Sequence, residues 1–542
     1  MRKMFNHFLN SVNSRAKTIT FAAVLIFFST LISRILGLIR DRLLAARFGA
    51  GEELDVYFAA FRIPDFIYGL LVMGGVVAVF LPVFAEYYKK SEKEAWELTN
   101  NVLNCFLVLL VILCGILAIF TPWLTNIIAP GFSGEQKSLA NDLTRIMFLS
   151  PIFFGLSSVL SGVLHYFHRF LAYSIAPILY NLGIIAGILF FLPYFGLWGL
   201  AFGVVLGAFL HWLVQVLPAK SSGFKYLFLL NFRYPGLVKI FKLMIPRTIG
   251  AAAYYINLIV VTAIASTLAT GSIAIFNFAN NLQYLPIGLV GVSFTTAVFP
   301  ILSRNWVEGA KDKFISTFSS AFRQILFFIV PFSVLMFLLK SQIVHLVLGT
   351  GEFDWIAIRL TAASLGVFCL GIFAFTFIPF LARVFYSFQD TRTPAFIGIA
   401  SMLLNVILAL ILVWVFRFSN TLQSLMVSIL KLEGIQNITV IALPLAVSLS
   451  GIFQFILLLF FLKKKMGDVR AKEIWLALTI VLLATFFMAT AVYFSLNLLA
   501  DLFDIKTFFG VLVQTSLAGI VGVLTYIVFF VLFFPPRRYF SS

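Results

Sequence analysis

Apolar runs roughly 20–30 residues long follow one another along the chain, each able to cross the ~30 Å hydrocarbon core of a bilayer at about 1.5 Å per residue. Short polar stretches separate them. The pattern predicts about fourteen transmembrane helices, near residues 20–46, 56–86, 99–121, 141–166, 171–192, 196–217, 237–268, 272–302, 315–339, 357–387, 395–416, 440–462, 473–497 and 507–534. The expected fold class is an all-α integral membrane protein.

Polar residues inside these runs carry the chemistry. The first run holds Ser33-Arg34-Ile35-Leu36-Gly37-Leu38-Ile39-Arg40-Asp41. Arg34 lies roughly 20 Å into the segment, near the bilayer midplane. A charge there costs at least about 2.5–3.5 kcal/mol. Two arginines so placed are expected to line a wet cavity, and a wet cationic cavity suits an anionic cargo. Arg34 and Arg40, with Ser33 beside them, are candidate cargo ligands, because a planar guanidinium donates paired hydrogen bonds to phosphate and stays charged. On an ideal helix Arg34 and Asp41 share a face and Arg40 points about 120° away. Asp41 then reads as the structural partner of Arg40, Arg42 or a neighbouring helix. Read purely structurally, the group is a salt-bridge cluster that holds helices together.

The second run opens with Asp55 and contains Arg62-Ile63-Pro64-Asp65. Pro64 loosens the helix and frees backbone groups for a cavity. Arg62 and Asp65 either pair at i, i+3 or face the cavity, with Tyr68 one turn on. In helices 7 and 8, Asn257, Asn277, Asn280, Asn281 and Gln283 must find partners at membrane depth; they bond to one another across helices or read a polar cargo.

Composition narrows the function classes. The chain is 61% hydrophobic and 11% charged, against about 25% charged in soluble proteins. Cys105, Cys114 and Cys369 fall in apolar runs, and five scattered histidines form no ligand set, so neither a disulfide framework nor a metal site is expected. No phosphate-binding glycine loop is present for ATP hydrolysis. The net charge of +18 is explained by basic loops meeting anionic headgroups rather than by nucleic acid. With the N-terminus inside, about 24 of the 39 basic residues fall on the cytoplasmic side and about seven opposite, which places both termini in the cytoplasm. The basic start, Met1–Lys17, is expected to precede a retained helix rather than a cleaved signal, since Arg34 interrupts the apolar run.

The chain also resembles itself at an offset of roughly 213–224 residues. Gly51 with Tyr57-Phe58-Ala59 parallels Gly271 with Asn277-Phe278-Ala279. The turn from His165 to Arg169, followed by Asn181, parallels Phe385 to Arg392, followed by Asn405. Six helices separate the copies, so both enter the membrane from the same side. The expected organisation is a basic N-terminus (1–19), an N-lobe of six helices (20–217), a cytoplasmic linker (218–236), a pseudo-symmetric C-lobe of six helices (237–462), a basic loop (463–472), helices 13 and 14 forming an apolar groove (473–534), and a tail (535–542).

These residues resemble the MurJ/MviN lipid II flippases of the MOP transporter superfamily, in order over nearly the whole chain. The motifs are Ser33 to Gly37 with Arg40-Asp41, then Phe48-Gly49-Ala50-Gly51, Asp55 and Ala60 to Pro64. Leu285 to Leu289 with Gly291-Val292, Phe299 to Ser303, and Phe385-Tyr386-Ser387 with Gln389-Asp390 and Thr393-Pro394 complete them. The resemblance implies fourteen helices and a cationic cavity gripping the pyrophosphate of lipid II. It implies a groove by helices 13 and 14 for the isoprenoid, and flipping from the inner to the outer leaflet of a bacterial cytoplasmic membrane. Arg34, Arg40 and Asp55 match family positions. Family arginines are replaced by Tyr68 in helix 2 and, in helix 8, by the Asn280-Asn281 stretch; an acidic residue is replaced by Met73. Val261 stands at a sodium-linked position, which argues against sodium. No cofactor is implied, and the membrane potential or an ion gradient supplies the drive. Implied partners are lipid II, membrane lipids and cell-wall synthesis proteins. The alternatives are a flippase for another polyprenyl-pyrophosphate glycan, a superfamily antiporter, and a non-transporting scaffold for cell-wall enzymes.

Overall fold

The computed structural model describes residues 19–533, apart from 74, 419–420, 468, 501 and 504–506; Gly74 and the side chains of Met73 and Arg247 therefore lie outside the described residues. Among the described residues every regular element is helical. Among the described residues ten helices are long and apolar enough to cross a bilayer, and an eleventh crossing forms if Trp355–Cys369 and Ile372–Ser387, bent by 47°, count as one. The expected second span divides into three helices. Gly75, at φ 76°, interrupts it with a left-handed residue that only glycine adopts without strain.

Two compact units divide the chain after Thr267. The first holds α1 (Ile19–Phe48), α2 (Glu52–Ala60), α3 (Arg62–Met73), α4 (Val76–Lys90), α5 (Glu92–Ile119), α6 (Thr121–Ile128) and α7 (Gly134–Met147). It continues with α8 (Leu149–Tyr166), α9 (Phe170–Ala186), a π-helical turn (Gly187–Phe191), α10 (Leu192–Phe195), α11 (Trp198–Ser221) and α12 (Pro235–Ser266). Helix α12 packs within this unit, against α3 and α4. A seam of small residues joins α9 to α11. A Cβ on Gly183 would lie 2.3 Å from the Gly207 Cα, and one on Gly187 2.7 Å from the Gly203 Cα, so these backbones touch. Membrane helices lack a hydrophobic force between them, and such close approach supplies dispersion contact instead.

Three asparagines on α5 hold the segment that joins α11 to α12. Asn100 Nδ2 donates to the Lys225 carbonyl while its Oδ1 accepts from the Leu227 N–H. Asn101 makes the same reciprocal pair with the backbone of Asn231, and Asn104 Nδ2 donates to the carbonyls of Leu227 and Leu229. An extended backbone has no partners of its own, so these nearly fully buried side chains replace the missing ladder.

The second unit holds α13 (Ser272–Pro286), a π-helical turn (Ile287–Val292), α14 (Ser293–Val307), α15 (Lys311–Leu338), α16 (Lys340–Leu348), α17 (Trp355–Cys369) and α18 (Ile372–Ser387). It ends with α19 (Arg392–Val415), α20 (Thr421–Leu430), α21 (Ala442–Met466), α22 (Ala471–Ala500) and α23 (Phe508–Phe533). Helices α22 and α23 pack on each other and on α15, where Tyr526 Oη donates to the Phe327 carbonyl at 2.9 Å and the buried Arg323 meets Glu473 at 3.6 Å.

The internal repeat appears in the turns. Ser133 caps α7 by accepting from the Gln136 N–H, and Asp354, at the matching place in the second unit, caps α17 by accepting from the Ala357 N–H. His168 and Gln389 both take positive φ, 56° and 61°, followed by Arg169 N–H donating to the Leu164 carbonyl and Asp390 N–H to that of Phe385. Both pairs of positions share one register of 221 residues (133 to 354, 168 to 389). The residue after the turn ties to a helix end in each unit with opposite polarity. Arg169 donates to the Ser221 Oγ and carbonyl, whereas Asp390 accepts from Lys465 Nζ at 2.8 Å and from Thr393.

Partial burial raises the Asp390 carboxyl, but the hydrogen bonds from Lys465 and Thr393 outweigh it and hold the group below the usual carboxylate range. Its contribution to stability is present above that range and is lost as pH falls through the depressed value. Asp390→Asn is expected to lower the unfolding midpoint near pH 7, and the two unfolding curves should converge only once the pH has fallen below the depressed value of Asp390. A gap that persists in acid would place the effect elsewhere. Gly203→Val should block folding by forcing α9 and α11 apart. Gly115→Val, where an added Cβ meets nothing within 4 Å, should be neutral in the same size-exclusion and melting assays.

Candidate functional site

Helix α1 turns one stripe, Ser33, Gly37, Arg40 and Leu44, toward α9, while Ile32, Ile35 and Ile39 on the opposite side are 47%, 49% and 42% exposed. Gly37 leaves room for Asn181 of α9, whose Oδ1 would sit 3.9 Å from a Cβ placed there. Asn181 Nδ2 donates to the Ser33 carbonyl and Oγ, both at 3.2 Å, and to the Pro177 carbonyl at 3.1 Å. Its Oδ1 accepts from Arg40 Nη1 at 3.3 Å. Arg40 also donates from Nε and Nη2 to Asp41 Oδ1 at 3.0 and 2.9 Å. The guanidinium thus folds across the helix onto its neighbour, and Asp41 acts as the structural partner of Arg40. Asp41 is almost fully buried, while 23% of the Arg40 side chain stays accessible. Arg34 is half-buried, on the flank that an ideal helix gives to Asp41.

Charges from neighbouring helices converge here. Tyr57 and Tyr180 lie close enough to Arg40 to interact electrostatically with it, and Asp65 interacts with both Arg62 and Arg40. Arg62 does more than face Asp65: its Nε donates to Thr262 Oγ1 at 2.6 Å, and that hydroxyl donates to the Leu258 carbonyl at 2.8 Å. The buried guanidinium therefore clamps α3 to α12. One turn or two further along α3, a Cβ on Gly69 would fall 1.9 Å from the Tyr255 ring, so the same two helices meet at van der Waals distance. Tyr68 rests on Phe154 with ring centroids 4.3 Å apart. Asp55 is buried in the first turn of α2 with Glu52 and Glu53, where the helix N-terminus favours negative charge.

The structure thus brings Ser33, Arg40, Asp41, Arg62, Asp65 and Tyr68 into one polar network of the first unit, with Arg34 and Asp55 on its elements. Asn257 is half-buried on α12. Asn280 and Asn281 lie on α13 of the second unit, where Asn280 Oδ1 accepts from Gln283 Nε2 at 2.9 Å, a bond within one helix rather than across two. Asn277 bonds back to its own helix at the Ile273 carbonyl. Sequence reasoning used Asn181 only as a marker of the repeat, not as a partner of Arg40, and missed Thr262. It also missed a buried relay between α8 and α11, in which Gln215 Nε2 donates to Ser157 Oγ at 2.6 Å, Ser161 Oγ donates to Gln215 Oε1 at 2.7 Å, and His211 Nδ1 lies 2.7 Å from Ser157 Oγ. Polar residues four apart on each helix, 157 with 161 and 211 with 215, were the available signal. Among the described residues no group of three His, Cys, Asp or Glu could hold a metal ion. The arrangement fixes guanidinium donors with acceptors from the same helix and from neighbouring helices.

A family model described as "Lipid II flippase MurJ" matches residues 44–514. The probable lipid II flippase MurJ of Buchnera aphidicola subsp. Acyrthosiphon pisum is 32% identical over 409 residues, covering 74% of this chain and 79% of that one. The lipid II flippase MurJ of Burkholderia cenocepacia is 29% identical over 385 residues, covering 69% and 75%. A solved structure of lipid II flippase MurJ in an inward closed conformation superposes with a TM-score of 0.75 at 26% identity, over 95% of this chain and 100% of that one. An inward-facing multidrug resistance MATE transporter of the MOP superfamily shares the fold, with a TM-score of 0.67 at 14% identity over 83% and 99%.

Thr262→Val keeps the shape of the side chain but removes the acceptor for the buried Arg62. It should destabilise the protein by about 1–3 kcal/mol, seen as a lower melting midpoint, whereas Arg62→Met with Thr262→Val should recover part of that loss. Equal midpoints for Thr262→Val and the wild type would remove the clamp.

Proposed function

The chain belongs to the lipid II flippase MurJ family and is a multi-pass membrane transporter rather than an enzyme, and from that premise we propose that Arg34 and Arg40 bind the pyrophosphate of lipid II during its passage between leaflets. The observation that carries this reading is the partly accessible Arg40 side chain, oriented by Asp41 and Asn181 on the first helix. A guanidinium already fixed by Asn181 loses little further freedom on gripping phosphate. Ser33, Asp55, Asp65 and Tyr68 shape the pocket around it, and Arg62 is a positioning residue that holds α3 against α12. Asn257 lies toward the same set of elements, and Asn280 and Asn281 supply neutral amides where relatives of the family carry a cation.

Flipping needs no bond chemistry; it needs a polar, charged headgroup shielded while its tail stays in lipid. The apolar surface of α22 and α23 suits that tail. Carrying negative charge outward is favoured by an inside-negative potential at about 2.3 kcal/mol per charge per 100 mV, so the potential is the proposed drive. The excess of basic residues on one side puts both termini in the cytoplasm.

Arg34→Ala and Arg40→Ala should each abolish rescue of cells depleted of their lipid II flippase while still inserting at normal abundance. Lipid II should then accumulate in the inner leaflet, as read by a leaflet-specific labelling assay. Normal growth with either variant as sole copy would refute the assignment of that arginine, and rescue without any change in lipid II distribution would favour a scaffold.

A further inference from the structure

A second cationic site lies apart from Arg34 and Arg40, where the segment joining α11 to α12 meets α12. An open groove of about 530 Å³ is lined by Arg233, Pro235, Val238, Lys239, Lys242 and Leu243. Lys239 is matched by Glu86 at 2.5 Å, and Lys90 approaches the same carboxylate at 3.9 Å. Among the described residues no carboxylate lies within ion-pair reach of Arg233 or Lys242, so the groove keeps a net positive charge. Immediately before it, Tyr226 Oη donates to Asn104 Oδ1 at 2.9 Å, and Leu227, Phe228, Leu230 and Phe232 are 52%, 72%, 43% and 46% exposed. They cannot turn inward, because the asparagines of α5 hold the backbone from Lys225 to Asn231.

We propose that this segment and groove form a membrane-interface site that binds the phosphate headgroup of an anionic phospholipid. The exposed aromatic and aliphatic side chains enter the boundary between headgroups and acyl chains, and Arg233 and Lys242 meet the phosphate. An apolar band next to a pair of cations is the pattern of an interfacial anchor. A soluble anion would satisfy the cations but leave the four apolar side chains in water. The site is independent of the cargo-binding reading, since it shares no residue with it.

The test titrates the purified full chain in detergent with short-chain phosphatidylglycerol, phosphatidylcholine or inorganic pyrophosphate and counts bound molecules by native mass spectrometry. Phosphatidylglycerol should bind saturably, more tightly than phosphatidylcholine, and pyrophosphate should not displace it. Arg233→Gln with Lys242→Gln should weaken that binding on the order of tenfold, as should added salt, with an unchanged melting midpoint. Phe228→Ser with Phe232→Ser should weaken both lipids. Arg34→Ala should leave phosphatidylglycerol binding intact. Equal affinity in the wild type and the charge variant, displacement by pyrophosphate, loss of binding in Arg34→Ala, or capture of an acidic soluble peptide in place of lipid would each overturn the proposal.

Discussion

A guanidinium inside an apolar helix bundle must be surrounded by acceptors, and much of the first unit is arranged to meet that requirement. Unpaired, such a charge costs several kcal/mol or draws in water to solvate it. Arg40 is met by the carboxylate next to it in sequence and by an amide from α9; Arg62 is met by a hydroxyl from α12. Each solution costs the helix some freedom, and each recruits a different neighbour. The cations are therefore tertiary fasteners, and in the proposed function binding groups as well, and α1, α3, α9 and α12 are drawn together around them.

The two roles divide along exposure. Arg62 is 8% exposed and its donor is spent on Thr262, so it acts on the position of α3. Arg40 keeps part of its surface open while its orientation is already set. A ligand that arrives with phosphate oxygens adds acceptors without first having to order the side chain. The same logic appears at the polar turns of the repeat. Arg169 and Asp390 occupy matching places, and each finds a partner at the end of a later helix, although their charges are opposite. The repeat preserves the tie rather than the residue.

Close contact between helices supplies what hydrophobic burial cannot in a membrane. Gly183, Gly187, Gly203 and Gly207 let α9 and α11 touch backbone to backbone, and Gly69 seats the Tyr255 ring against α3. These contacts fix the position of Asn181, two residues before Gly183 on α9, and hence the acceptor that Arg40 uses.

The helical class, the membrane, the family and the first helix with its arginines were legible in the order of residues alone. Apolar runs of bilayer length leave the backbone no option but helices, and buried charge in such a run stands out against its background. The repeat was legible only as a loose offset, because its strongest expression lies in turn geometry: positive φ at His168 and Gln389, and caps at Ser133 and Asp354 that use different residues for one bond. What only the tertiary structure decided was partnership. An ideal helix turns Arg40 away from Asp41, yet its long side chain reaches across, and Asn181 and Thr262 lie 141 and 200 residues from the arginines they serve. Local periodicity states which side of a helix a residue occupies; which helix comes to meet it depends on packing between segments far apart in the chain.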